Sequence, residues 1–569
     1  MVGIVIYNSI ISIVLLRGVS VVIYPESFSV KPNTEATAAF KNLFNTSSQT
    51  AVSKNLTLPR GRYVFMSRNA DQREIYISNT VAADEYQEGE KPNVRKIGFA
   101  IENVRNMEID CNDSVFIIDG NMTNVFINNC ENIVLKNLTI VTGRPNVHKI
   151  TVVKASPFYV TFKIDDASDF REENGEYYWY GTDYKMSFTD FQSSGWWMPT
   201  AEPENYFHIK RSGAHPFQGA SNIRQVSDRV FNVRYLTPKG FAEGQIFYIF
   251  PIIRDQVGIL INDSKKITLK NVKQHYSKGF SLIAQNSENI TLEGLDFSPI
   301  KNSEVDFCSI GDFMQFSMCR GKIAVRDCNL DGAGDDACNV HGIYFRIVES
   351  NKDKLTVEFP HPQTYGLECI REGDTIAFID PETLVEVGRT KVLKAKLRDK
   401  YHYDITTATY DAPLGVGGVI ENISSSPDFE FSGNTINRVV TRGVLATTRG
   451  KIRIENNKFL NTGMSGILIS DDATEWFESG CVNDVVIRGN AFMNCEEDAI
   501  LIKPENKKYN GPVHRNILIE NNLFVLNDTH AVNVSCSSDV VIKGNTYAGN
   551  PKNEKYIVAD RVENLVTDK

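Results

Sequence analysis

Two Gly-Asp pairs, Gly311–Asp312 and Gly334–Asp335, stand 23 positions apart, and a third acid, Asp336, extends the second. Each pair runs into a short strand-like segment, Met314–Ser317 and Ala337–Val340. If these are matching places in consecutive coils of one architecture, equivalent residues lie roughly 4.8 Å apart. The spacing therefore predicts Asp312 stacked on Asp335, with Asp336 alongside. Carboxylates that close cannot all ionise cheaply, so a like charge raises the pKa of one of them. A protonated acid beside a carboxylate is the pair that cleaves a glycosidic bond. One group protonates the leaving oxygen; the other activates water or attacks the anomeric carbon. One rung plus a lateral offset fits inverting and retaining geometries alike. Two further readings use the same residues: corner aspartates that only accept backbone N–H bonds, and a trio that binds Ca²⁺. The calcium reading, as lyase chemistry, also needs a basic residue, and Arg320 and Lys322 are near in sequence.

The elements that must position these acids repeat. A short alternating segment ending in Asn or Gly occurs at Asn132–Asn137, Lys266–Asn271 and Asn289–Gly294, and as KIAVRD at Lys322–Asp327. It returns at Asp428–Asn434, Lys451–Asn457, Asp484–Asn490, Asn516–Asn522 and Asp539–Asn545. The last five terminal asparagines are separated by 23, 33, 32 and 23 residues. A second strand recurs in register, including Leu282–Gln285, Val444–Thr447, Ile467–Ser470, Ile500–Lys503 and Val532–Ser535. A unit near 23 residues with loops inserted in some copies predicts an all-β, right-handed parallel β-helix. Asn and Gly at its corners suit the left-handed backbone of sharp turns. An antiparallel sandwich would instead show hairpin turns every 8–12 residues and no fixed period.

Two stretches break the period, about 146–254 and 343–424, and read as small β domains inserted into coil loops. The chain then divides into a possible signal or N-terminal segment (1–25), a cap with the first coils (26–145), the first insertion, central coils carrying the acids (255–342), the second insertion, and C-terminal coils (425–569). Ala36, Phe40, Leu43 and Phe44 have the spacing of a short amphipathic helix, which would cover the open edge of the solenoid. The apolar start, MVGIVIYNSIISIVLLRGVSVVIYP, lacks a basic lead and a clear cleavage site. The expectation is a degraded or mis-started signal, slightly ahead of an ordinary N-terminal strand, with the protein secreted, periplasmic or at the cell surface. No uninterrupted run reaches the length of a membrane span.

A net charge of −9 without a concentrated basic run argues against a nucleic-acid partner. Ten cysteines in 569 residues, none in a Cys-x-x-Cys pair, argue against a disulfide scaffold or structural zinc. No metal and no cofactor is expected, and a homo-oligomer is possible. The repeat register places Arg442 one rung beyond the acids and Glu497 about three rungs, roughly 14 Å. Arg442 could bind hydroxyls or lower a neighbouring pKa. Trp476, in the loop DDATEWFESG, could stack on a sugar face, and Trp196–Trp197 of the first insertion is a weaker candidate for that role.

The segments LIAQNSENITL, FMQFSMCRG, GDDACNVHGIY and RGVLATTRGKIRIENNKF, continued by ATEWFESGCVNDVVI and ILIKPEN, resemble glycoside hydrolase family 110, the β-helical α-1,3-galactosidases. The likeness runs from about Glu131 to Asn545. It implies an exo-acting, inverting, metal-free hydrolase that releases terminal α-1,3-linked galactose from a galactose-terminated oligosaccharide or glycoconjugate. By motif position the general acid falls on Asp312 and the water-activating carboxylates on Asp335 and Asp336. Asn339 and His341 of GDDACNVHGIY and Glu505 of ILIKPEN join Arg442 and Trp476 as candidate substrate-binding residues. Polygalacturonases are a more distant likeness: the histidine here sits in Val340–His341–Gly342, and no Arg-Ile-Lys follows. A β-helical adhesin that binds glycans without turnover is the reading from another class.

Overall fold

The computed structural model describes residues 21–23, 31–43, 54–80, 93–191, 194–199, 209–211, 215–251, 254–303, 305–409 and 414–568. Apart from Val21–Ile23, the apolar start lies outside the described residues, as do the side chains of Trp196 and Trp197. Short parallel strands stack coil on coil into a β-helix. Its first described coils are covered by α1 (Thr37–Leu43). There Phe40 meets Tyr63, Phe65, Phe99 and Phe116 at ring-centroid distances of 5.1–5.7 Å. Among the described residues no helix is long and apolar enough to cross a membrane.

One face of the solenoid carries the strands that matter for the site: β1 (Thr123–Asn128), β2 (Val257–Asn262), β3 (Phe280–Gln285), β4 (Met314–Ser317), β5 (Cys338–Asn351), β6 (Val444–Ala446), β7 (Ile467–Ile469), β8 (Ile500–Ile502) and β9 (Val532–Lys543). Each pairs in parallel with the next. Alternation sends Leu282, Met314, Cys338, Val444 and Ile467 into the apolar core. Gln315, Asn339 and His341 therefore face outward.

The terminal residues of the first four copies, Asn137, Asn271, Gly294 and Asp327, are left-handed as the corner reading expects, but the last five asparagines do something it does not anticipate. The left-handed positions are the residues before them, Gly433, Asn456, Gly489, Asn521 and Gly544. Asn434, Asn457, Asn490 and Asn522 are buried, and each donates its backbone N–H and its amide to the side-chain oxygen of the next asparagine at 2.9–3.0 Å. The chain of bonds ends on Asn545. Inside the same coils Phe459, Phe492 and Phe524 stack at 4.9 and 5.0 Å.

The first insertion is a seven-stranded antiparallel sheet drawn from His148–Pro251, plus a three-stranded sheet, around Trp179, Phe188 and Phe231. The second is continuous with the solenoid. β5 leaves the parallel stack after His341 and pairs antiparallel with Lys354–Glu358 and Val419–Asn422. This small barrel is thus held beside the acids by an unbroken strand.

Candidate active site

The acids sit in the turns that lead into β4 and β5. Met314 is level with Cys338, an offset of 24, and the Phe313 N–H bonds the Asp336 carbonyl at 3.0 Å. Asp312 is therefore level with Asp336, and Gly311 with Asp335. The sequence expectation that Asp312 stacks on Asp335 is corrected by one residue. Aligning the Gly-Asp pairs would set Phe316 opposite Asn339 and turn a polar column into the core, and a one-residue slip flips every side chain. The same correction makes Thr441–Arg442, then Met464–Ser465, the successors of Asp335–Asp336.

The three carboxyls have different surroundings. Asp335 is the most open, and its Oδ2 accepts from an Arg254 guanidinium N–H at 2.6 Å. Asp336 is buried; its Oδ1 accepts from the Arg442 backbone N–H at 3.0 Å and from Arg442 Nε at 2.8 Å. The Thr441 hydroxyl lies 2.5 Å from Asp336 Oδ1 and 3.1 Å from Asp335 Oδ1. Asp312 is buried, and among the described residues no cation touches it. Burial, then the charges of Asp335 and Asp336, hold its carboxyl well above the usual carboxylate range, against a weaker pull from Arg254. Burial also raises Asp336, with Arg442 opposing. The result is a trio split into one acid whose pKa is raised without a cation beside it and two carboxyls paired to arginines. Those arginines occupy oxygens that a Ca²⁺ ion would need. Arg320, bidentate to Asp374, and Lys322, paired to Glu430, are spent elsewhere.

Beyond the acids, the outward residues of β4 and β5 are buried, Gln315 against Ser78 and Asn339 against Glu478. Gln315 Oε1 and Asn339 Oδ1 are buried without a hydrogen-bond partner among the described residues. His341 places Nδ1 2.8 Å from the Gly342 carbonyl and Nε2 3.2 Å from the Gln315 amide. Beyond His341 lies a groove lined by Asn79, His341, His361, Thr364, Trp476 and Glu478, among others. Glu478 accepts from Asn79 at 2.7 Å and from Asn339 at 3.3 Å. Trp476 is 46% exposed, with one face against the His361 ring at 4.8 Å.

The Trp476 loop is built locally. Asp472 accepts the N–H groups of Thr474, Glu475 and Trp476 at 2.7–3.1 Å, the self-bonding turn that aspartate favours. Glu478 and Ser479 then pair antiparallel to Ile343 and Gly342. A side chain at Gly342 would collide with Ser479. Residues 75–80 strap across the same face: Ile75 and Ile77 pack on Phe126, Leu260 and Ile283, and the Ser78 N–H donates to Gln285 at 3.0 Å.

Of the sequence candidates, the structure gathers Asp312, Asp335, Asp336, Arg442, Asn339, His341 and Trp476 around this groove. It does not bring Glu505 there. Glu505 is exposed beyond β8, three coils from Asp336, and its backbone N–H bonds Asp471. Glu497, also three coils away, is exposed. Sequence reasoning passes over Arg254, Thr441, Gln315, Glu478, Asn79 and Thr364. Glu478 and Gln315 fall inside quoted motifs, ATEWFESG and FMQFSM, where an alternation count would have turned Gln315 outward. Asn79 has no such signal.

A carboxyl with a raised pKa beside two arginine-held carboxyls, on the wall of a solenoid, has the form of a β-helical glycoside hydrolase site. Residues 354–417 match the GLAA-B beta-barrel domain II, and residues 417–568 the right handed beta helix region. The chain is 33% identical over 498 residues to an alpha-1,3-galactosidase A of Bacteroides thetaiotaomicron, covering 85% of this chain and 84% of that protein. It is 29% identical over 524 residues to an alpha-1,3-galactosidase A of Streptomyces avermitilis, covering 86% and 81%. An exopolygalacturonase from Thermotoga maritima superposes with a TM-score of 0.39 at 11% identity, covering 97% of this chain and 92% of that one. The chain belongs to glycoside hydrolase family 110, the α-1,3-galactosidases.

Proposed function

We propose that this protein removes terminal α-1,3-linked galactose from glycans, acting from the non-reducing end with inversion. The observation that carries the reading is the division of labour among the acids: Asp312 with its pKa raised, Asp335 and Asp336 each facing an arginine. Galactose lies against the acids, on the side of Asn339 and His341. Its non-reducing end points to Glu478, His341 and Trp476. Asn79, Thr364 and Trp476 line the groove at that end. Asp312 gives its proton to the glycosidic oxygen as the bond to C1 breaks. Asp335 and Asp336 orient a water on the opposite face, and one of them takes its proton as the new C1–O bond forms. Arg442 keeps Asp336 fixed. The names of the relatives supply the linkage and the sugar.

The test is release of galactose from p-nitrophenyl α-galactoside and from an α-1,3-linked galactosyl disaccharide, with the first-formed anomer followed by NMR. Both substrates should be cleaved and β-galactose should appear first. A folded protein that cleaves neither would end the reading; α-galactose appearing first would overturn inversion.

A further inference from the structure

Thr441 stands one coil beyond Asp335, and its backbone is pinned from both sides. The neighbouring Val440 N–H bonds the Ala333 carbonyl at 3.0 Å, and the Thr441 carbonyl accepts the Met464 N–H at 3.0 Å. A β-branched side chain on a fixed backbone has few χ1 choices, so the hydroxyl is held where the rungs put it. That place is between two acids: the hydroxyl lies 2.5 Å from Asp336 Oδ1 and 3.1 Å from Asp335 Oδ1. Among the described residues no other group bonds both carboxyls. Arg254 bonds Asp335 alone, and Arg442 bonds Asp336 alone.

A hydroxyl has one proton to give and two lone pairs to receive with. Facing two ionised carboxyls, this one can donate to only one of them, and its lone pairs meet the oxygen of the other. Once either carboxyl has taken a proton, both contacts become hydrogen bonds. The carboxylic acid donates to Thr441 Oγ1, and Thr441 donates to the carboxylate that remains. The hydroxyl therefore holds the pair more strongly after a proton has arrived than before. An interaction that strengthens along the proton transfer lowers the barrier of that step, and leaves the energy of the bound substrate unchanged.

In the reaction proposed above, that proton comes from the attacking water. The water oxygen bonds C1 as the bond from C1 to the leaving oxygen breaks, and one O–H proton of the water passes to Asp335 or Asp336. From this geometry we infer that Thr441 is a positioning residue for the base, joining Asp335 and Asp336 into one unit that accepts a single proton. Thr441 keeps its own proton throughout and only turns it towards whichever carboxyl stays ionised. The inference rests on the galactosidase reading.

The experiment measures kcat and KM of Thr441→Val, Thr441→Ala and Thr441→Ser on p-nitrophenyl α-galactoside and on the α-1,3-linked galactosyl disaccharide. Thr441→Val keeps the shape and removes the hydroxyl. Its kcat should fall about 10–100-fold on both substrates, the size expected for a lost bond to a charged group, with KM held within about twofold. Thr441→Ser should recover most of the rate, and Thr441→Ala should not. A serine variant no faster than the alanine variant would overturn the inference. So would wild-type kcat in Thr441→Val, or a loss confined to the disaccharide or to KM; each of these leaves the galactosidase reading intact. Wild-type protein inert on both substrates would remove both. If Thr441→Val lowers the melting temperature, the comparison of Thr441→Ser with Thr441→Ala decides.

Discussion

At the residue scale, the chemistry comes from unequal treatment of three identical side chains. Asp312 has burial and two negative neighbours but no arginine of its own, so its pKa is held well above the usual carboxylate range. Its raised pKa has a kinetic sign. Activity should persist where ordinary carboxyls, with pKa values near 3.9, are ionised, and should fall on the alkaline side as Asp312 loses its proton. Asp312→Asn should cost the disaccharide about 10²–10⁴-fold in kcat, and p-nitrophenyl α-galactoside much less, since p-nitrophenolate leaves without a proton. Asp335→Asn and Asp336→Asn should depress both substrates together. Equal losses on both substrates in Asp312→Asn would take the general-acid role away from that residue. The trio was legible because acid type and repeat position coincide in one short stretch. Arg442 was legible from the repeat as well. Arg254 was not: it stands at the end of a long insertion, where no period applies, and only folding sets it on Asp335.

Elements decide where these side chains point. The count between Gly-Asp pairs gave one register, and the core gave another, because burying Met314 and Cys338 outweighs matching two dipeptides. β5 passes from the solenoid into the barrel without a break, so His361, Gln363 and Thr364 arrive at the groove although nothing local in HPQT marks them. The Trp476 loop is tied at its base by Asp471, which accepts the Tyr344 hydroxyl at 2.9 Å and the Gly480 N–H at 3.2 Å. Burial, then Glu421, pushes the Asp471 carboxyl up to about 8, with Tyr344 and Arg449 opposing. Between the unfolded value near 3.9 and about 8 the folded state holds a proton that the unfolded chain has lost. Its contribution to stability is therefore full at low pH and drains away as pH rises through about 8. Asp471→Asn should flatten the fall in melting temperature between pH 6 and 9. A variant with the wild-type slope would show that this carboxyl does not titrate there.

On the scale of the whole molecule, the β-helix was readable because its period survives in spite of insertions, and the asparagines that marked it turn out to be structural. Their reason was hidden, since a sequence cannot separate a residue that makes a corner from the one just after it. Asn457 bonds Asn434, Asn490 and the Phe431 carbonyl. Replacing it by alanine strands groups on both sides, at about 1–3 kcal/mol for each buried group left unpaired. The urea midpoint of Asn457→Ala should drop with little change in slope, and a midpoint within error of wild type would show that the ladder is ornamental.

That column of amides also constrains how such a protein can change its length over evolutionary time. Each member reads only the one after it, so a duplicated or deleted copy that spans one whole turn rejoins donor to acceptor and keeps the catalytic wall in phase. A fragment of a turn would leave a seam of mismatched partners through the middle of the protein. The residues beyond the period in this chain go sideways, out of the turns, where they furnish Arg254 to Asp335 and Thr364 to the groove.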